Sequence, residues 1–214
     1  ENPKWKKSYK PILRKTSNCK VNTIMKDMEN VTENSMVGPM AAVAGCLADR
    51  MRKVMIKETN AKIAVVENGG EISMQSEEEV VIGLLVLSTS LHSKLGFKYP
   101  GSKEIWGIAT SSATFGHAFS FGTADAVVVF TDTAGLADAA ATYICNQVKG
   151  NTSQDAIDSG LNAFRDIPCL NGVLIIKDQL IGKDGRIPEI VKINDKNNDL
   201  LKKKLPLKKF FQDL

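Results

Sequence analysis

The stretch ADAVVVFTDTAGLADAAATYICNQVKG, residues 124–150, sets a run of β-branched residues directly before an alanine-rich segment. ADAVVVFT reads as a strand, because Val and Phe suit a pleated, packed surface. Thr133 is a good N-cap, alanine is the best helix former, and Gly150-Asn151 stops a helix, which predicts one over about 134–149. Residues four apart share a helix face, so Asp138, Thr142 and Asn146 form a polar stripe opposite Leu136, Ala140, Ile144 and Val148. A carboxylate and a hydroxyl one turn apart are hard oxygen ligands, the kind magnesium uses when a phosphate completes its shell. A solvated helix face accounts for the stripe equally well at this stage. Asp138, however, lies beyond the first turn, where the helix dipole would favour a carboxylate.

Just upstream, GIATSSATFGHAFSFG (107–122) combines Gly107, Gly116 and Gly122 with the hydroxyls of Thr110, Ser111, Ser112 and Thr114. Successive N–H groups in such a loop can form an anion nest, or the loop is simply a turn. His117 within it is either a structural side chain or a phosphate donor or proton carrier. Further upstream, KIAVVEN, Gly69-Gly70 and EISM read as a hairpin. Its Asn68, Gly69, Gly70 and Glu71 either only turn the chain or let a ring or sugar lie against bare backbone. In VGPMAAVAGCLADR (37–50), Pro39 suits a first helical position, and Ala42, Cys46, Met51 and Met55 continue the helix to about Lys57. Its small residues Ala41, Ala42, Ala44 and Gly45 leave a helix start open to an anion, or let the helix press closely on a neighbour.

The remaining pattern is mixed. VNTIMKDMENVTE (21–33) and DAIDSGLNAF read as helices, and EVVIGLLVLS (79–88) as a fully buried strand. A polar loop is expected over about 90–104, a hairpin in VLIIKDQLIG turning at Asp178-Gln179, and a last strand in IPEIVKI. This is an α+β chain, expected to form one domain over residues 1–198 followed by a basic tail over 199–214. A length of 214 residues with 43% apolar and 24% charged residues suffices for an ordinary globular core. The net charge of +4 is concentrated in LLKKKLPLKKFF, and aromatic content is only 6%, which argues against nucleic acid as a partner. Pro206 interrupts any amphipathic helix in the tail. VVIGLLVLSTSL falls well short of the ~20 residues of a membrane helix, so no membrane partner is expected. Cys19, Cys46, Cys145 and Cys169 form no CxxC pair and point to reduced thiols in a cytoplasmic protein. The chain opens without Met, so residues upstream are expected.

The order GPMAAVAG, ENGGEI, GIATSS…GHAFSFG, LADAAAT resembles the ApbE superfamily, the FAD:protein FMN transferases. It resembles most a small ApbE-like branch of archaea and anaerobic bacteria. The likeness covers about residues 35–192 and implies a T-fold-like, mostly antiparallel α+β architecture. It implies a phosphate-bearing flavin- or nucleotide-type ligand, FAD or FMN, held by Asn68, Gly69, Gly70 and Glu71, by Thr110, Ser111, Ser112 and Gly116, and by the alanine-rich helix. Magnesium would fall to Asp138 and Thr142 with a backbone carbonyl around Ala41–Ala44, and His117 would be the catalytic candidate. The H-x-x-D-P segment of the transferases has no counterpart between Ser112 and Asp125, and G-G-Glu stands where G-G-Asp is usual. Two other roles stand beside this one. One is an accessory factor in sulfur assimilation to homocysteine, in which Cys145 is either a sulfur carrier or an inert buried thiol. The other is a non-enzymatic homo-oligomeric module with VVIGLLVL as an interface strand.

Overall fold

The computed structural model describes residues 3–12, 23–84, 95–114 and 120–193. In chain order these form α1 (Pro3–Lys6), α2 (Thr23–Asn34), a 3-10 turn (Pro39–Ala42), α3 (Val43–Thr59), β1 (Ile63–Asn68), β2 (Glu71–Ser76) and β3 (Val80–Leu84). There follow β4 (Leu95–Tyr99), β5 (Ser102–Ser111), β6 (Ala126–Thr131), α4 (Ala134–Gln147), α5 (Ser153–Arg165), β7 (Gly172–Lys177), β8 (Leu180–Gly185) and β9 (Glu189–Lys192). The mixed α+β expectation holds, and the sheets are antiparallel throughout.

Six strands form the central sheet in the order β1-β2-β5-β6-β7-β8, and β3-β4-β9 form a second, smaller sheet. β6 explains why the layers stack as they do. All six of its residues are buried, and their alternation divides them between two cores. Val127 and Val129 pack with Ala137, Ala140, Ile144, Ile157 and Phe164 beneath α4 and α5. Ala126, Val128 and Phe130 pack with Phe97, Tyr99 and Trp106 beneath the small sheet. The strand is therefore apolar along its length rather than alternating, as a doubly covered strand must be. The order of layers is helices, six-stranded sheet, three-stranded sheet.

Local signals set the helix ends. Thr133 caps α4 by accepting from Leu136 N–H. Thr152 and Asp155 form a reciprocal capping box at the start of α5. α3 ends at Asn60 in a left-handed conformation, φ 51°.

Two expectations are corrected. β3 is not fully buried: it is an outer strand of the small sheet, with Val81 48% exposed, and residues 85–88 lie outside the described set. The polar loop expected over 90–104 contains β4 and the first residues of β5, with residues 90–94 outside the described set. Phe97 and Tyr99 turn into the core while Lys98 pairs with Glu79 at the surface, a half-buried pattern that the surrounding Gly, Pro and charges concealed. The helix expected to run to about Lys57 is present as α3, with Met51 and Met55 facing outward and Cys46, Ala48, Asp49 and Arg52 on its buried side. His117, Gly116 and the tail over 199–214 lie outside the described residues.

Candidate functional site

The helices α3 and α4 meet at their first turns, closer than side chains allow. A Cβ on Gly45 would lie 2.2 Å from the Ala134 carbonyl oxygen, and one on Gly135 would lie 2.5 Å from Cys46 Sγ. The small-residue run in GPMAAVAG therefore does serve close packing. Neither helix has an acidic residue in its own first turn. Each receives one from the other. Asp49 of α3 accepts from Ala134 N–H and Gly135 N–H, both at 3.0 Å, and Asp138 of α4 accepts from Gly45 N–H at 3.0 Å. Carboxylates at helix starts satisfy orphan donors and complement the dipole.

The two acids differ in what surrounds them. Asp49 is only 7% exposed and sits in a neutralising network. Ser73 Oγ–H donates to it at 2.6 Å, and Arg52 donates to Ser73 Oγ at 2.9 Å and to Gln75 Oε1 at 3.1 Å. Asp138 has a second acid as its neighbour instead. Burial, then the charge of Glu71, hold its carboxyl well above the usual range, opposed by the N–H groups of Gly45 and Ala44. Asp138 thus faces the α3 start and Glu71 and is half-buried, so a fully solvated helix face does not describe it.

Glu71 arrives by way of the β1–β2 hairpin. Asn68 and Glu71 are directly paired across a two-residue turn, with Gly69 and Gly70 at φ 75° and 113°. Such angles favour glycine, and Gly70 N–H donates to Glu67 Oε1 at 2.8 Å. Around Gly70, a built Cβ would meet nothing within 4 Å, so that backbone borders open space. Asn68 Nδ2 donates to the Ala44 carbonyl at 3.1 Å, tying the hairpin to the α3 start. Burial, then the neighbouring Glu67 charge, raise the Glu71 carboxyl from 4.5 to about 7 against a lowering backbone hydrogen bond. Asn68, Gly70, Glu71, Asp138 and the first turn of α3 are therefore one constellation. Thr142 follows Asp138 by one turn, half-buried.

The hydroxyl residues are distributed differently. β5 extends to Ser111, so Thr110 and Ser111 lie on opposite faces of the sheet. Thr110 pairs with Val128 on the small-sheet face, and Ser111 pairs with Val127 on the α4 face. Ser111 and Ser120 hydrogen-bond the Cys145 thiol, and Ser120 Oγ lies 3.1 Å from Cys145 Sγ. At 1.5 Å per residue, Cys145 is about 10 Å along α4 from Asp138. Ser112 Oγ accepts from Thr114 N–H at 3.1 Å in a local turn. The structure thus joins the glycine hairpin to Asp138 and places Thr110, Ser111 and Ser112 elsewhere on β5 and beyond its end. Asp49 and Arg52 escaped sequence reasoning. Their signal was an acid and a base three residues apart on the side of α3 that also carries Cys46 and Ala48.

Among the described residues, no group of three or more His, Cys, Asp or Glu side chains could hold a metal ion. None of their helices is long and apolar enough to cross a membrane.

Comparison with known proteins fits this architecture. A family model described as "AbpE bacteria" matches residues 1–163. The chain belongs to this family. Among curated relatives of this ApbE-like chain is the UPF0280 protein MJ1526 of Methanocaldococcus jannaschii, 38% identical over 194 residues, covering 90% of this chain and 77% of the relative. A UPF0280 protein of Methanococcus aeolicus is 40% identical over 196 residues, covering 91% of this chain and 77% of the relative. The solved ApbE protein of Thermotoga maritima is similar in fold, with a TM-score of 0.50 at 16% identity. That match covers 70% of this chain and 51% of the Thermotoga protein, about half its length.

Proposed function

We propose that this ApbE-like protein binds a divalent cation, magnesium, together with a phosphate-bearing ligand of the flavin or nucleotide type, FAD or FMN included. The carrying observation is the pair Asp138 and Glu71. Two carboxyl groups, each raised by burial and the first also by the second, stand at the start of α3 with backbone N–H groups rather than a basic side chain beside them. A dication between them would replace repulsion by attraction and hold both ionised. The donor chemistry fits. Asp138 offers its carboxylate beside the N–H groups of Gly45 and Ala44, Glu71 offers another, and Thr142 adds a hydroxyl one turn on. So sparse a protein shell suits magnesium, which is held by one or two carboxylates while water and ligand phosphate complete its octahedron. The open backbone at Gly70 suits the adjoining ring or sugar.

We do not extend this to flavin transfer, because the H-x-x-D-P segment is missing between Ser112 and Asp125. A sulfur-carrier role for Cys145 finds no support either. The side chain is fully buried and burial raises its thiol, the opposite of what a nucleophilic sulfur needs.

A purely structural reading rests on the hydrogen bond from Gly45 N–H to Asp138, and one substitution separates it from the proposal. In Asp138→Asn the amide oxygen still accepts that bond, but the charge is gone. Thermal unfolding is then followed with magnesium plus FAD, FMN or ATP. Saturation at ~100 times Kd stabilises by about 2.7 kcal/mol, a rise of roughly 5–10 °C. The wild type should show it with cation and ligand together, and Asp138→Asn should lose it while still folding. Equal shifts in both proteins, or none with any of these ligands, reject the proposal.

A further inference from the structure

One buried carboxylate is bonded to both elements that carry Asp138 and Glu71. Asp49 of α3 reaches the first turn of α4 through Ala134 N–H and Gly135 N–H, and it reaches β2 through Ser73 Oγ–H. Asp138 follows Ala134 and Gly135 by four and three residues, so it stands one turn on along the same side of α4. Glu71 precedes Ser73 by two residues, and strand alternation puts both on the sheet face that meets α3. Met74, the next residue after Ser73, points into the opposite core with Phe97 and Tyr99. Two ties to α3 therefore bracket Glu71 along the chain: Asn68 to the Ala44 carbonyl before it, and Ser73 to Asp49 after it. Arg52, from the same helix, completes the brace by donating to Ser73 Oγ and Gln75 Oε1.

We infer that Asp49 is a positioning residue of the Asp138–Glu71 site: it fixes α4 and β2 to α3 so that the two carboxyl groups meet in the geometry a cation needs. The inference rests on the cation reading above and names the side chain that builds its site. Asp49 is not itself a third ligand. Its Oδ1 accepts from Ser73 and Ala134 and its Oδ2 from Gly135, so donors engage both oxygens, and Arg52 supplies a counter-charge through Ser73. Asp138 and Glu71 have each other's charge for a neighbour instead. They also arrive from different elements, one from a helix and one from a strand, so nothing local to either sets their separation. Magnesium tolerates little error in that separation, because it demands a near-ideal octahedron with oxygens at about 2.0–2.1 Å. Groups that orient metal ligands without touching the ion are typically worth about 10–100-fold in affinity.

Electron paramagnetic resonance on the full chain tests this, with Mn2+ alone as the probe, because bound Mn2+ loses the sharp signal of the free ion. Two variants cut different arms of the brace. Ser73→Ala frees β2 and leaves both α4 bonds in place. Asp49→Asn sets an amide NH2 against the donors and loosens the α4 arm. The wild type should bind Mn2+, and each variant should raise Kd at least ~10-fold with the native circular dichroism retained. Either variant decides the matter should the other fail to fold. Phe97→Leu, in the core between the sheets, removes packing without touching the brace. It should lower Tm yet keep Kd within about two-fold of the wild type. Brace variants that bind Mn2+ as the wild type does, or a Phe97→Leu protein weakened as much as they are, overturn the inference and leave Asp49 a stabilising residue only. A wild type that binds no Mn2+ is a different result: it rejects the cation reading, and the positioning role falls with it.

Discussion

Replacing Glu71 with glutamine should make the ligand-free protein more stable at pH 8 and flatten its response to pH between 5 and 8. In the fold, burial and Glu67 carry the Glu71 carboxyl from 4.5 to about 7. Between those values the folded protein holds a proton that the unfolded chain has lost. Stability therefore falls as pH rises through that window, and the loss is complete once pH exceeds the folded value. The full displacement is equivalent to about 3 kcal/mol. Glu71 is only half-buried, and solvent screening lowers the expected effect to about 1–2 kcal/mol. The raised carboxyl of Asp138 acts in the same direction. Urea unfolding in chelator at pH 5, 6, 7 and 8 would measure it. The wild type should lose about 1–2 kcal/mol across the series, and Glu71→Gln should lose clearly less. Parallel curves for the two proteins, or wild-type stability that rises with pH, would refute the electrostatic account of this pair.

Two further outcomes follow from the α3–α4 contact. Asp49→Ala removes the acceptor for Ala134 N–H, Gly135 N–H and Ser73 Oγ–H and leaves the buried Arg52 charge without its counter-charge, so denaturant unfolding should show a loss of about 3–5 kcal/mol. Gly135→Ala drives a methyl group to 2.5 Å from Cys46 Sγ and should cost about 1–3 kcal/mol. Cys46→Ala should relieve most of that cost in the double variant, and a double-mutant cycle with additive losses would show the clash lies elsewhere.

The elements legible in the sequence were those whose causes are local. α4 announced itself through Thr133, its alanines and Gly150, and the β1–β2 hairpin through Gly69-Gly70. The parts that were not legible depend on partners distant in the chain. Asp49 matters because of donors 85 and 86 residues away, at the start of α4. β3 looked like a core strand because its composition is apolar, yet it lies on the margin of a second sheet that no local pattern foretold. β4 was hidden by Lys98 and Pro100, although Phe97 and Tyr99 anchor it in the core. The hydroxyl run has the composition of one loop, whether an anion nest or a plain turn, but β5 continues through Thr110 and Ser111, and the pleat sends neighbouring side chains to opposite faces. Asp138 fared best. Its position past the first turn marked it as something other than a cap for its own helix, and it proved to face the start of α3.

The central claim is that Asp138 and Glu71 hold a cation that a ligand phosphate also touches. Crystals grown with manganese in place of magnesium, together with FMN, test it through anomalous scattering. The account predicts a peak about 2.0–2.3 Å from an Asp138 carboxylate oxygen, shared with a phosphate oxygen of the flavin. Flavin density with its phosphate away from the α3 start and no peak at Asp138 would contradict it.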